Sequence, residues 1–319
     1  MGPKLQPTQP PRQLAVLVFL VPWCLGGEVL NNGAIDHLLQ TPQLTVLNLS
    51  RSEVTDAGIE RLKDLPSVES LNLYYAEFIT DAALSHLRTW KHLRSLNLRG
   101  ADITDAGLAH VSQLTSLQRL DISETLITNV GLDHLARLTN LRDLSLGGNK
   151  MTAAGLHVLK SLPELRRLNL NGTQKRNTEL WMVSLTDFDV DTLTSLPNLQ
   201  DLNLGGTKIT DQGAAKLAGL PNLRSLDLSR TAVTTVPLPK LERLSLWKSR
   251  LTDATSPRLA TLRSLRFLDL SDTKITDATL EQLQALPALN DLYLDGTQVT
   301  AAGVQRLAQA RPQCRVHWK

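Results

Sequence analysis

From Leu44 to the carboxy terminus, apolar and polar positions follow one rhythm. Two apolar residues flank a polar one, a polar stretch follows, and apolar residues then recur three apart. The middle Leu of each copy supplies an anchor: Leu47, Leu71, Leu96, Leu120, Leu144, Leu168, Leu202, Leu226, Leu244, Leu268 and Leu292. Seven of the ten steps between anchors are 24 residues, and the others are 25, 34 and 18. A period of this size predicts a stacked solenoid, in which each copy buries its apolar face only against its neighbours.

Within a copy the period changes. Leu47 and Leu49, or Leu120 and Ile122, alternate with polar residues and predict one short strand per copy, apolar side inward. After it comes a Thr, usually followed by Asp, at 55, 80, 104, 128, 152, 186, 210, 234, 252, 276 and 300. Thr or Asp there predicts the N-cap of a short helix, with apolar positions such as Ile59, Leu62 and Leu65 facing the core and Pro66 ending it.

With eleven registered copies, the chain resembles the leucine-rich repeat family from residue 44 to about 318. The Thr-Asp-x-Gly-Leu wording is similar to the ribonuclease-inhibitor-like and cysteine-containing-like branches and to bacterial repeat proteins of that wording. The resemblance implies an α/β fold: a right-handed solenoid, or horseshoe, with a parallel sheet on the concave face and short helices on the convex side. It implies no particular partner. One departure stands out: Thr125, Thr173, Thr207, Thr231, Thr273 and Thr297 occupy a position where the family often has Asn, and only Asn149 keeps the amide. Their hydroxyls are expected to bond the backbone of a neighbouring turn in place of that amide.

Residues 1–26 read as a signal peptide. Lys4 and Arg12 precede the apolar run Leu14 to Leu20, and Gly26 and Gly27 are small enough for cleavage. Export would place the protein in the periplasm, on the surface or outside the cell. Cys24 follows Trp23, which is too large for a lipoprotein signal. Residues 27–43 read as an amino-terminal cap, a truncated repeat, and residues 44–319 as the repeat domain. That domain has an insertion near 174–184 and a short copy near 226–243, where Pro237 and Pro239 preclude a helix.

Composition narrows the function. With 42% hydrophobic and 4% aromatic residues, the predicted core is aliphatic. A formal charge of +3, two of it in the leader, argues against nucleic acid as the partner. No 18-residue apolar run follows position 30, so no integral membrane segment is predicted after the leader. His37, His86, His110 and His134 share a helical position, but no thiolate or paired carboxylate completes a metal shell there. Cys314 reads as a small buried residue of the last half-strand. No phosphate loop or nucleophile elbow appears, so no catalytic residue, metal or cofactor is assigned.

The polar column after each anchor, from Asn48 to Tyr293, reads as a hydrated ladder on the open face of the sheet. Its aromatic interruptions are the candidate site for a protein or peptide partner: Tyr74 and Tyr75 toward one end, Trp247, Phe267 and Tyr293 toward the other. Asp269 and Asp291 edge the second group and favour a basic, partly apolar partner. Trp181, with Lys175, Arg176 and Met182, gives the insertion an apolar tip on the rim. Flat aromatics beside carboxylates also suit a cell-surface glycan or peptidoglycan. An intracellular adaptor is a third reading, which holds if the leader is not a signal.

Overall fold

The computed structural model describes residues 17–18, 30–41, 43–65, 67–172 and 183–319. Among them, thirteen strands form one parallel sheet in chain order. They are β1 (Leu17–Val18), β2 (Val46–Asn48), β3 (Ser70–Asn72), β4 (Ser95–Asn97), β5 (Arg119–Asp121), β6 (Asp143–Ser145), β7 (Arg167–Asn169), β8 (Asp201–Asn203), β9 (Ser225–Asp227), β10 (Arg243–Ser245), β11 (Phe267–Asp269), β12 (Asp291–Tyr293) and β13 (Arg315–His317). Pairing sets anchor opposite anchor, as in Leu71↔Leu96 and Leu268↔Leu292. At the other end, Leu17 and Val18 of β1 pair with Val46 and Leu47.

The anchor Leu and the apolar residue two positions later are buried in every copy, Leu204 and Leu228 completely. A one-residue slip would turn these two columns out to solvent, so burial pins the register. Each such Leu contributes about 1.5 to 3 kcal/mol relative to exposure. The core is not wholly aliphatic, as composition had suggested. Trp90 takes the place held by Leu65 one copy earlier, is fully buried, and donates its indole N–H to the Lys63 carbonyl at 3.2 Å.

The Thr-Asp-x-Gly wording has a physical cause. The Asp after each Thr reaches forward one copy and accepts both the amide and the hydroxyl of the next Thr. Asp105 does so from Thr128 at 2.8 and 2.6 Å, and Asp211 from Thr234 at 2.6 Å for both. Equivalent rungs join Asp56 to Thr80, Asp81 to Thr104, Asp187 to Thr210, Asp253 to Thr276 and Asp277 to Thr300. Asn129 makes a related rung, accepting the Thr152 amide with Oδ1 but donating its Nδ2 to the hydroxyl, and Asn32, before the first copy, does the same with Thr55. The same Thr side chains cap their own helices, Thr104 for Asp105–Val111 and Thr276 for Asp277–Leu283. Glycine three residues past the Thr leaves room for the incoming carboxylate. A Cβ on Gly107 would stand 2.2 Å from Asp81 Oδ1, and one on Gly213 2.4 Å from Asp187 Oδ1.

Two junctions lack this rung, because Ala153 and Thr235 occupy the carboxylate's position. There the next Thr is capped from within its own copy. Thr186 bonds Asp189 through amide and hydroxyl at 2.7 and 2.9 Å, and the Thr252 amide donates to Thr255 at 3.2 Å. Asp189 and Thr255 stand where six other copies have Gly. No helix occurs among residues 233–240, where the prolines lie.

The threonines that replace the familiar Asn act differently from expectation. Thr207, Thr231, Thr273 and Thr297 donate to the carbonyl three residues back in their own copy at 2.6–2.7 Å. Among the described residues of this column Asn149 crosses between copies, donating to the Ile122 carbonyl at 2.7 Å and accepting the Thr125 amide at 2.8 Å and its hydroxyl at 3.2 Å. Where the next copy offers no such amide, the hydroxyl bonds within its own copy. Thr173, Trp181 and the rest of 173–182, and the leader apart from Leu17 and Val18, lie outside the described residues.

Candidate ligand-binding face

Two side-chain columns flank the buried anchors on the open face of the sheet. The column after the anchor is structural as well as solvated. Asn203 Oδ1 accepts the Gly205 amide at 2.9 Å, and Asn48, Asn72, Asn97, Asp121, Asn169, Asp227 and Asp269 make the same bond two residues on. These Asx turns lead the chain off the strand, in most copies into a residue with positive φ three positions past the polar one. That residue is Gly at Gly100, Gly148, Gly206 and Gly296, and a larger residue at Arg51, Tyr75, Glu124, Arg230, Lys248 and Asp272. A left-handed conformation costs a non-glycine residue about 1 kcal/mol or more. Here the next copy holds it through the amide, as in Arg230 N–H to the Trp247 carbonyl at 2.7 Å. Large side chains thereby line one rim.

Toward the carboxy end, Phe267 on β11 and Tyr293 on β12 lie on the diagonal, with ring centroids 5.3 Å apart and tilted by 43°. Tyr293 stacks on His317 of β13 at 4.1 Å, nearly parallel at 7°. On the other side the Arg243 guanidinium lies 4.1 Å from the Phe267 centroid. Arg243, Phe267, Tyr293 and His317 thus form one continuous stack over four successive strands, the three rings half-buried. Guanidinium-over-ring and ring-on-ring contacts of this kind are each worth about 0.5 to 1.5 kcal/mol. Trp247 stands apart on the rim. Its indole N–H donates to Asp272 at 2.8 Å, with Lys248 4.7 Å and Arg230 5.7 Å from the ring.

The acidic edge expected beside these rings is internally compensated. Asp291 pairs with Arg315 at 2.7 Å, Asp272 holds Trp247 with Lys248 3.6 Å away, and Asp269 is committed to its turn. The charge argument for a basic partner is therefore weakened at Asp291, while Asp269 makes no ion pair among the described residues.

At the amino end, Tyr74 and Tyr75 meet edge-on at 4.6 Å, with Arg51 and Arg99 over the Tyr74 ring at 5.5 and 5.9 Å. Glu124 ties this corner together, accepting from the Tyr75 hydroxyl and from Arg99, the latter at 2.6 Å. Burial, followed by the Glu124 contact, raises the Tyr75 pKa above its ordinary value. Phe78, which the sequence reading passed over, is about half exposed beside this corner. It sits in the copy with the 25-residue step, where Ile79 fills the core place that Val54 holds one copy earlier and Phe78 is left outside it.

Residues placed by sequence at the site thus fall into separate groups: Tyr74 with Tyr75, Trp247 with Asp272, and Phe267 with Tyr293 and Asp291. Sequence reasoning missed Arg243 and His317, although each lies 24 residues from a residue it did name. Among the described residues no group of three His, Cys, Asp or Glu is placed to hold a metal. Cys314 is buried, which raises its thiol pKa and disfavours the reactive thiolate. No helix of the described residues is long and apolar enough to cross a membrane.

The family model described as a leucine-rich repeat region matches residues 75–313, and a leucine-rich repeat model matches 42–63. The chain belongs to the leucine-rich repeat family. No curated protein matches it by sequence. Among solved structures it is similar to an internalin of Listeria monocytogenes, with 24% identity, coverage of 86% of this chain and 80% of that one, and a TM-score of 0.60. A leucine-rich repeat protein of Leptospira interrogans aligns at 20% identity over 86% and 76%, TM-score 0.55. A chain of the mouse RP105/MD-1 complex aligns at 18% over 87% and 47%, TM-score 0.59. At these identities the likeness establishes the fold.

Proposed function

We propose that this protein is an exported, non-catalytic leucine-rich repeat scaffold that binds a protein or peptide on its concave face. The observation that carries the reading is the Arg243–Phe267–Tyr293–His317 stack, half-buried on the open sheet of a chain with so few aromatics. Preordered aromatic and arginine side chains lose little entropy on binding and dominate contact energies in protein interfaces. Trp247 extends the contact along the rim. The mouse neighbour is a protein–protein complex, RP105 with MD-1, which is in keeping with this use of the fold. A glycan is the weaker ligand here, because one face of Tyr293 is covered by His317 and Arg243 lies against Phe267. The Thr-Asp-x-Gly-Leu wording supports a bacterial-type branch of the family.

The test is capture from the envelope fraction of the source organism, comparing wild type with Trp247→Ala and Tyr293→Ala. Loss of an anchor should cost about 2 kcal/mol of binding, on the order of 30-fold. A partner retained by both variants but lost on deletion of 174–184 would move the site to the insertion. Export is tested by intact mass: a mature start near Gly27 or Glu28 supports it, and a full-length cytoplasmic product refutes it. Cleavage there would remove β1 and leave β2 at the edge of the sheet.

A further inference from the structure

Arginines gather on the concave face at the strand starts of the middle copies. Arg94, Arg119, Arg142, Arg166 and Arg167 line one shallow groove of about 610 Å³, in which Glu69 and Asp143 are the only carboxylates. Asp143 is engaged by Arg167 at 2.5 Å, and Glu69 lies 3.9 Å from Arg94. Arg119, Arg142 and Arg166 are exposed and make no ion pair among the described residues. Elsewhere on the same edge the charge is compensated: Glu242 sits between Arg224 and Arg266, 3.9 Å from each. The backbone sets their places. Arg94, Arg142 and Arg166 share one column, with Gln118 between the first two, and Arg119 stands one residue further along its copy, opposite Asp143. Each of four successive copies nonetheless contributes an arginine to the groove.

Strands lie about 4.8 Å apart, so the four cations span about 14 Å. An acidic α-helix laid across the strands offers one carboxylate per turn, about every 5.4 Å, or about 16 Å over three turns. An extended peptide offers same-side residues about every 6.6 Å and would reach about 20 Å, well out of step. Flexible arginine side chains absorb the first mismatch but not the second. Each guanidinium also presents a planar fork that fits a carboxylate with two hydrogen bonds. We infer that this strip is the docking surface for an acidic helix of the protein partner, with one Glu or Asp per turn facing Arg94, Arg119, Arg142 and Arg166. The inference rests on the concave-face reading above and names the chemistry of the partner.

The probe is a synthetic alanine-rich helix of about 20 residues carrying glutamates at i, i+4, i+7 and i+11, set against a peptide of the same composition with the glutamates spread around the helix. Titration should show the striped peptide binding the wild type more tightly than the permuted one, with affinity falling as salt rises. The triple variant Arg119→Gln, Arg142→Gln, Arg166→Gln should weaken binding about 10- to 100-fold while leaving the thermal midpoint unchanged. No binding of the striped peptide, equal binding of the permuted one or of heparin, or full binding by the triple variant would overturn the inference. The two readings fail separately. A native partner lost by Tyr293→Ala but kept by the arginine variant refutes the strip alone, and the opposite pattern refutes the aromatic site alone.

Discussion

The first five copies and the last six are built from the same repeat but are held together differently. From Asn32 to Thr152 every helix start is tied to the next by a side chain that accepts an amide and bonds a hydroxyl. Beyond Thr152 the ladder stops twice, at Thr186 and at Thr252, and these junctions adjoin the ten-residue insertion and the proline segment. The glycine of the repeat accompanies the rung in most copies but not in all. Gly107 and Gly213 leave room for a neighbour's carboxylate, whereas Ala83 and Thr279 stand at the same place beside the Asp56 and Asp253 rungs, and Asp189 and Thr255 are found where no rung enters. A solenoid whose stability is a sum of copies and junctions should therefore be weakest at those two places.

Core truncation should have the largest effect and should expose the contrast directly. Leu120→Ala in the tied block and Leu228→Ala between the two gaps should each cost about 2 to 5 kcal/mol. Denaturant unfolding followed at probes in both halves should stay coincident for the first variant and separate into two transitions for the second. Coincident curves for both would mean that the missing rungs are energetically silent.

Gly107→Ala should destabilise by about 1 to 3 kcal/mol, because the new methyl displaces Asp81 from Thr104. Adding Asp81→Ala should recover part of that loss, since the methyl then meets no carboxylate. A double-mutant cycle measures the coupling, and simple additivity would show that Gly107 serves another purpose.

Rebuilding a gap is a smaller, opposite change. Ala153→Asp combined with Asp189→Gly recreates the regular rung at Thr186 and should gain about 1 kcal/mol in the chemical midpoint. Ala153→Asp alone should destabilise, because two carboxylates would then compete for one threonine.

Acid should affect the rungs unequally. Burial raises the Asp211 pKa, but bonds from Thr234 and Thr235 outweigh it and hold the carboxyl below its ordinary value. The same balance, with Thr276 and Thr279, lowers Asp253, and Asp277 is lowered mainly by the Thr300 amide. A depressed carboxylate stabilises the fold fully above its unfolded pKa and loses that contribution as pH falls through its lower folded value. Protection of the Thr234, Thr276 and Thr300 amides, corrected for intrinsic exchange, should therefore decline below about pH 3.8. The Thr152 amide, held by the uncharged Asn129, should not respond.

Much of this architecture was legible in the chain. The 24-residue period, the alternation around each Leu anchor and the Thr before each helix come from local preferences repeated many times, and the pairing of anchor with anchor follows once copies stack. The candidate site was less legible. Tyr293 and Phe267 stood out as aromatics in polar columns, but their stacking with His317 and Arg243 depends on which columns lie on the diagonal between strands. The acids beside them looked available because a sequence does not show that Arg315 reaches Asp291 or that Asp269 is spent on its own turn.

By itself, then, the sequence determined the repeat, the strand register and the place of each copy's helix, since these depend on hydrophobic periodicity and capping within about two dozen residues. Only the tertiary structure decided what the polar residues do. The reach of Asp into the next copy, the space Gly107 and Gly213 leave for it and the gathering of arginines along one groove are relations between neighbouring copies. Such relations depend on distances of a few ångströms, which stacking sets and no single copy contains.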